Sequence, residues 1–172
     1  NDRFDWTPNQ RGGNDTLLGG LGDDIYVLDS PSDTVIEVAN QGDDLVFIGF
    51  SERALISDHI EQVGTFGTEA VDVIGPQTDT LYFLDNTGGR VKAGPAQDQL
   101  LTEFSETTLT LQIGQAMHSL VNRGTQITIQ FNGIEYIVLP ERTLDVADFT
   151  ALTEFEADEM KDVIDLYIAS FD

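Results

Sequence analysis

The chain of 172 residues contains no cysteine. Disulfide bridges and zinc sites built on thiolates are therefore excluded. Histidine is almost as scarce, since His59 and His118 are the only two in the chain, and neither lies in a recognisable catalytic motif. The nucleophile elbow of hydrolases, the zinc-protease helix and the phosphate loop are also missing. We therefore expect no enzymatic activity in this chain; a pair of carboxylates acting as a glycoside hydrolase is the alternative that stays open.

Basic residues are few. Eight lysines and arginines stand against 31 aspartates and glutamates, so the net charge is -23 at pH 7. We expect neither nucleic acid nor an anionic membrane surface as a partner, because binding phosphate requires clusters of lysine and arginine. Such a charge also opposes a compact state unless cations neutralise it. The hydrophobic content of 40% nevertheless favours a folded chain, at least once cations are bound.

Long hydrophobic runs are missing as well. No apolar run approaches the ~18 residues that a membrane-spanning helix needs, so we expect no membrane insertion. Residues 1–6 are polar and acidic, unlike an N-terminal signal peptide. The chain opens in the middle of a sequence repeat, described next, and we expect it to be the C-terminal piece of a longer protein.

What the chain does contain is a nine-residue glycine–aspartate repeat. Residues 19–27 read Gly-Gly-Leu-Gly-Asp-Asp-Ile-Tyr-Val and fill every position of the pattern Gly-Gly-x-Gly-x-Asp-x-apolar-x. The glycines permit a tight turn with positive φ that aims backbone carbonyls at a cation. The aspartate adds the hard oxygen that calcium prefers, and the apolar residue starts a short strand.

Further aspartates flank this repeat in register. Asp15 lies nine residues before Asp24, Asp33 lies nine residues after it, and Asp44 follows eleven residues later. Near the N-terminus, Asp2 reads as part of another repeat. A fixed period is the signature of a stacked β-solenoid, whereas the alternative is a run of glycine–aspartate turns in an ordinary antiparallel sheet.

The repeat weakens along the chain. Residues 1–50 form the repeat region, and residues 51–104 keep its Asp-x-apolar core at Asp72, Asp79 and Asp98 without the double glycine. We expect a degenerate continuation of the β-repeat there, with little or no bound calcium. Ordinary strands with acidic flanks are the alternative, and the sequence favours neither.

Residues 105–150 follow a different pattern, typical of a β-hairpin-containing cap region. Residues 108–113 alternate as a half-buried strand. The pair Asn132-Gly133 separates the apolar runs 127–131 and 134–139, which predicts a hairpin with a type I′ turn.

Residues 151–172 predict a terminal amphipathic helix. A capping box at residues 153–156 precedes an apolar stripe of helical period. The stripe consists of Met160, Val163, Ile164, Tyr167, Ile168 and Phe171. We expect this helix to cap the open end of the β-stack, and a role as an export signal is compatible with that position.

Residues 10–47 resemble the RTX (repeats-in-toxin) family of calcium-binding proteins. The resemblance implies an all-β fold, a parallel β-roll or β-solenoid in which Ca²⁺ lies between stacked Gly-Asp loops. It also implies which residues bind calcium. The first site would use Arg11, Gly13, Asp15, Leu28, Ser30 and Asp33. The second would use Gly20, Gly22 and Asp24 with a loop from Ala39 to Asp44, and the third would join Asp2 to Gly19, Leu21 and Asp24.

The sequence departs from the family pattern in these loops. Gln10-Arg11 stands where the family has two glycines, and the loop 28–33 has no glycine and contains Pro31. Two extra residues disturb the register of the loop 39–44. The aspartates are therefore stronger predictions than the individual carbonyl ligands.

The resemblance also implies a function. RTX proteins leave bacteria by type I secretion with an uncleaved C-terminal signal, and the acidic–apolar ending 162–172 is similar to such signals. We therefore expect a secreted, extracellular module that folds with calcium, assists export of a larger protein and contacts the type I secretion machinery. The alternatives are the end of an adhesin or surface-layer protein, and a module that binds a glycan or a protein through residues 105–150. The sequence does not indicate an oligomeric state.

Overall fold

The structure, a computed structural model, describes residues 3–4, 13–67, 70–84, 88–105, 108–140 and 142–150. These residues form sixteen short β-strands and one helix. In chain order they are β1 (Arg3–Phe4), β2 (Thr16–Leu18), β3 (Ile25–Leu28), β4 (Thr34–Ile36), β5 (Leu45–Ile48), β6 (Arg53–Leu55), β7 (Gln62–Thr65), β8 (Val71–Ile74), β9 (Leu81–Phe83), β10 (Gly89–Lys92), β11 (Gln99–Leu101), β12 (Leu109–Gln112), β13 (His118–Asn122), β14 (Thr128–Asn132), β15 (Tyr136–Val138), β16 (Thr143–Asp145) and α1 (Val146–Thr150).

The chain alternates between sheets as it advances. The larger sheet has the strand order β1-β3-β5-β7-β9-β11-β15-β16, the second has the order β12-β13-β14-β10-β8-β6, and β2 pairs with β4 in a separate two-stranded sheet. The odd-numbered strands from β1 to β11 pair in parallel with their neighbours, and so do β6, β8 and β10. This topology is a parallel β-solenoid, so the predicted all-β fold class is confirmed.

The core lies between the sheets and is built from alternate residues of each strand. The register of the larger sheet stacks one fully buried apolar residue per coil into a column. The column consists of Tyr26, Val46, Val63, Tyr82, Leu100 and Ile137. Val73, Val91 and Phe131 form a matching column in the second sheet. Burying side chains of this size contributes roughly 1.5–3 kcal/mol each, so the column holds successive coils together.

The range 51–104 continues the solenoid. Strands β6 to β11 lie there and pair in parallel, and β7 pairs directly with β5 of the repeat region. The parallel β-structure expected for this range is therefore present, whereas its descent from the calcium-binding repeat stays a prediction.

The hairpin predicted around Asn132-Gly133 is wrong. β14 pairs with β10 and β13, whereas β15 pairs with β11 and β16, so the two strands lie in different sheets. Gly133 has a positive φ of 76° but Asn132 does not, and a type I′ turn needs both. The pair forms a corner of the solenoid, because each flanking strand buries its apolar residues by joining a parallel neighbour. Antiparallel pairs do occur in this cap region, between β12 and β13, β13 and β14, and β15 and β16.

The C-terminal prediction lies beyond the structural description. The predicted helix in residues 151–172, with its apolar stripe, falls outside the described residues. Within them, α1 follows β16 directly and is five residues long. No helix in the described part of the chain is long and apolar enough to cross a membrane.

Candidate metal centre

The aspartates of the repeat lie in the connections between strands, at two opposite edges of the solenoid. At one edge, here called the Asp24 edge, the loops 19–24 and 37–44 lead into β3 and β5. At the other, the Asp15 edge, residues 13–15 lead into β2 and the loop 29–33 leads into β4. The alternation follows from the sequence, because a spacing of nine residues carries the chain from one edge to the other.

The structure brings Asp24 and Asp44 together at the Asp24 edge. Ile25 lies opposite Leu45, which places the two preceding aspartates side by side. The Asp24 N–H donates to the Asp44 Oδ1 at 2.9 Å, and the Leu45 N–H donates to the Asp24 carbonyl at 2.9 Å. The two extra residues are absorbed inside the loop 37–44, where Asn40 has a positive φ of 61°.

The glycines of the repeat allow the two loops to stack closely. Gly20 and Gly22 have positive φ values of 87° and 102°, as the turn requires. The Gly22 N–H donates to the Gln41 carbonyl at 2.6 Å, and a Cβ on Gly42 would collide with the Gly22 carbonyl. Gly19 faces the Tyr26 hydroxyl and the Asp24 carboxylate, and a Cβ there would collide with both. Two of the residues that were predicted as calcium ligands in these loops, Leu21 and Ala39, have exposed side chains.

A third carboxylate joins the aspartate pair from the opposite strand layer. Glu37 follows β4 and shares the inward face of Val35, so its side chain enters the interior between the sheets. One carboxylate oxygen from each of Asp24, Glu37 and Asp44 lies within 4.8 Å of the others. All three residues are buried, with exposed fractions of 1%, 9% and 1% in that order. Within the described residues they are the only group of three acidic, histidine or cysteine side chains placed to hold one metal ion.

Tyr26 completes this acidic centre. Its hydroxyl donates to the Glu37 Oε1, and Tyr26 itself is fully buried. The Glu37 Oε2 is buried and has no hydrogen-bond partner in the described part of the protein. Most buried polar atoms in proteins are hydrogen-bonded, so this oxygen requires an explanation.

The electrostatics of the centre reflect a surplus of negative charge. Burial first, and then the charges of Glu37, Glu61 and Asp24, raise the pKa of Asp44 to about 6, although the hydrogen bond from the Asp24 N–H acts to lower it. Burial and the bond to Glu37 also raise the pKa of the Tyr26 hydroxyl far above its usual range. Protons or a cation must compensate such a group, and an all-oxygen donor set of this kind suits a hard cation such as Ca²⁺.

The Asp15 edge is organised differently. The Asp15 N–H donates to the Asp33 Oδ1 at 3.1 Å, so these two aspartates also stack. The Asp33 Oδ2 accepts the N–H groups of Asp29 and Ser30 at 3.2 and 3.1 Å, which closes a loop that has no glycine. Because both oxygens of Asp33 already accept backbone donors and Asp15 is exposed, the Asp24 edge offers the better-formed group of candidate ligands.

The remaining predicted ligands are less favourably placed or not described. The Leu28 carbonyl accepts the Gly49 N–H at 2.9 Å, and the Ser30 carbonyl accepts the Asp33 N–H at 3.2 Å. Gly13 lies beside the Asp15 carboxylate. Asp2 and Arg11 fall outside the described residues.

Carboxylates continue along the Asp24 edge beyond the repeat region. The Asp44 N–H donates to the Glu61 Oε2 at 2.8 Å, the Thr80 N–H to the Asp98 Oδ1 at 2.8 Å, and the Asp98 N–H to the Glu135 Oε2 at 2.8 Å. At these three positions an acidic side chain accepts a backbone amide of the coil before it. Thr80 takes the place that Asp24 has in the first coils, so this later position has lost one carboxylate of the pair.

Sequence reasoning identified Asp24 and Asp44 but missed Glu37 and Tyr26. The repeat motif assigns Tyr26 to the apolar position and gives Glu37 no role. The available signal was the alternation of side chains along a strand, because Glu37 lies two residues after the buried Val35 and so points to the same side.

The chain matches no protein-family model, no curated protein and no solved structure.

Proposed function

We propose that this chain is a calcium-dependent folding, stabilisation and export module of a larger secreted bacterial protein. The observation that supports this most directly is that Asp24 and Asp44 lie side by side on successive coils and are buried, with the Glu37 carboxylate next to them. The donor chemistry fits Ca²⁺, and the loop 19–24 has the glycine–aspartate pattern of RTX repeats.

Calcium would act on folding because its ligands come together only in the stacked coils. Buried carboxylates repel one another and are costly to remove from water unless they are compensated. An ion that binds the folded chain alone stabilises it by mass action, by about 2.7 kcal/mol at a concentration one hundred times Kd. The net charge of -23 adds a general repulsion that cations reduce.

The expected affinity matches an extracellular role. Extracellular calcium modules bind with Kd values of roughly 10⁻⁴–10⁻³ M. At the much lower calcium concentration of a bacterial cytosol the repeat coils would stay unfolded, which suits passage through a secretion channel. Millimolar calcium outside the cell would then fold them and prevent their return.

A calcium titration of the full chain tests this proposal. Far-UV circular dichroism and Tm are measured in chelator, in calcium and in magnesium at matched ionic strength. We expect β-structure and Tm to rise with calcium, and magnesium to have little effect, because it requires a smaller octahedral site and keeps its water. Equal β-signal and equal Tm in chelator and in millimolar calcium would contradict the proposal.

Paired variants locate the effect. Asp24→Ala should lower calcium affinity about tenfold or more, measured by calorimetry, because it removes a carboxylate from the buried centre. Asp79→Ala is the matched control, since Asp79 also accepts a backbone N–H from a neighbouring coil, that of Gln97 at 2.9 Å, but lies outside the centre. Equal losses of affinity in the two variants would show that the repeat register does not determine the site.

A further inference from the structure

Glu37 reaches the acidic centre from the first position of the loop 37–44, ahead of the glycine–aspartate segment of that loop. It lies just after β4, one position beyond the strand, and faces inwards with Val35. Asp24 and Asp44, by contrast, come from the ends of loops that lead into β3 and β5 of the larger sheet. The centre therefore joins side chains that flank strands of two different sheets, β4 on one side and β3 and β5 on the other.

The two oxygens of Glu37 have different surroundings. Oε1 accepts the hydrogen bond of the Tyr26 hydroxyl, which holds the carboxylate in one orientation. Oε2 is buried without a hydrogen-bond partner in the described residues, and the carboxylate it belongs to lies within 4.8 Å of those of Asp24 and Asp44. A buried acceptor left without a donor is destabilising, and a cation in the centre would satisfy it.

We propose that Glu37 is a direct ligand of the cation held by Asp24 and Asp44, and that the Tyr26 hydroxyl positions it. This inference rests on the proposed function, because it concerns the same calcium site. It adds a ligand that the repeat motif does not contain and gives the ion a second task. By binding Glu37, the ion would connect the end of β4 to the loop ends that precede β3 and β5. It would then link the two sheets across the interior as well as the stacked loops along the Asp24 edge.

The chemical class of the ligand follows from the charge of the donors. Three carboxylates carry more negative charge than a divalent ion neutralises, so the centre should bind a trivalent lanthanide more tightly than Ca²⁺. Terbium is the useful probe, because a tyrosine close to the bound ion sensitises its luminescence. Tyr26 is bonded to a proposed ligand and is therefore the expected antenna.

The experiment titrates terbium into the full chain and then displaces it with calcium. Every sample carries the substitution Trp6→Phe, so that tyrosine is the only residue type that sensitises terbium emission. Glu37→Gln keeps an acceptor for the Tyr26 hydroxyl but removes the charge. Glu135→Gln is the matched control, because Glu135 accepts the Asp98 N–H at the same edge and lies outside the acidic centre.

We expect Glu37→Gln to weaken terbium and calcium binding about tenfold or more, and Glu135→Gln to leave both affinities unchanged. Tyr26→Phe should lose most of the sensitised emission at saturating terbium, while calorimetry still detects binding. Wild-type affinity in Glu37→Gln, or full emission in Tyr26→Phe, would overturn the assignment.

Thermal stability separates a ligand from a residue that is merely structural. In chelator, Glu37→Gln should melt above the parent chain, because one of three mutually repelling buried charges is gone. At saturating calcium the order should reverse. A variant that melts below the parent chain by the same amount in both conditions would assign Glu37 a packing role and overturn the inference. The proposed function would still stand if the parent chain gained structure with calcium, and would fail only if it did not.

Discussion

At the scale of the single residue, Asp98 shows what the Asp24 edge becomes when the acidic centre is reduced. It is fully buried, and its Oδ1 accepts the Thr80 N–H at 2.8 Å. Burial, followed by the charges of Glu135 and Asp79, raises the pKa of Asp98 to about 6, against the lowering effect of amide hydrogen bonds from Thr80 and Gly94. Its Oδ2 has no hydrogen-bond partner in the described part of the chain. Asp98 therefore holds its proton more tightly than an exposed aspartate does, at a position where no cluster of three carboxylates is described.

This raised pKa predicts a pH dependence of stability. Because the pKa is higher in the folded than in the unfolded chain, the folded state is favoured at acidic pH and loses that advantage as pH rises through about 6. Asp98→Asn keeps the acceptor for Thr80 and cannot ionise. The Tm of Asp98→Asn relative to that of the wild type should therefore rise as pH increases from about 4 to about 6, and the difference should stay constant at higher pH. Both chains are compared at saturating calcium, and a Tm difference that does not vary with pH would contradict the argument.

The residues of the acidic centre differ in how far the sequence reveals them. Asp24 and Asp44 follow from the repeat, because a fixed spacing along a solenoid places equivalent residues on top of one another. Glu37 does not follow, because its contact with Tyr26 crosses from one sheet to the other. That contact depends on the distance between the sheets, which no local pattern encodes.

At the scale of the element, the same distinction explains the corner at Asn132-Gly133. Asn-Gly between two apolar runs is a strong local signal for a hairpin. Here the flanking strands instead pair in parallel with other strands, β14 with β10 and β15 with β11. The residues of β10 lie some 40 positions earlier in the chain, and a local turn preference carries no information about such a neighbour. The existence and approximate position of the strands could be predicted, whereas the pairing of these two could not.

The stacked loops of the Asp24 edge give an element-scale prediction. A methyl group on Gly42 would meet the Gly22 carbonyl, which is backbone and has little freedom to move. Gly42→Ala should therefore separate the loops 19–24 and 37–44, destabilise the calcium-loaded chain by about 1–3 kcal/mol and weaken calcium binding. Urea denaturation and calorimetry measure the two effects. Gly124→Ala is the control, since only the Asn122 Oδ1 lies within 4 Å of a methyl there. Equal stability of the two variants would show that close loop stacking is not required.

At the scale of the whole molecule, the solenoid combines one continuous core with an uneven distribution of charge. The buried column of the larger sheet runs from Tyr26 of β3 to Ile137 of β15. The acidic centre, however, lies between the first coils alone, among residues 24 to 44. Since each coil of a solenoid contacts only its neighbours, a local loss of stability can open one end without unfolding the rest.

This arrangement predicts where calcium acts. Hydrogen exchange followed by mass spectrometry should show that chelator removes protection first from β3 and β5, which flank the acidic centre. Strands β9 and β11 should retain more of their protection, because apolar columns and backbone pairing hold them. Among the described residues of the loops that lead into these two strands, Asp98 is the only fully buried carboxylate. Added calcium should restore protection at β3 and β5, and magnesium at the same ionic strength should not. A uniform loss along the chain would mean that general charge repulsion, rather than an ion bound in the first coils, controls folding. Protection that is unchanged in chelator would mean that the acidic centre is stable with protons alone.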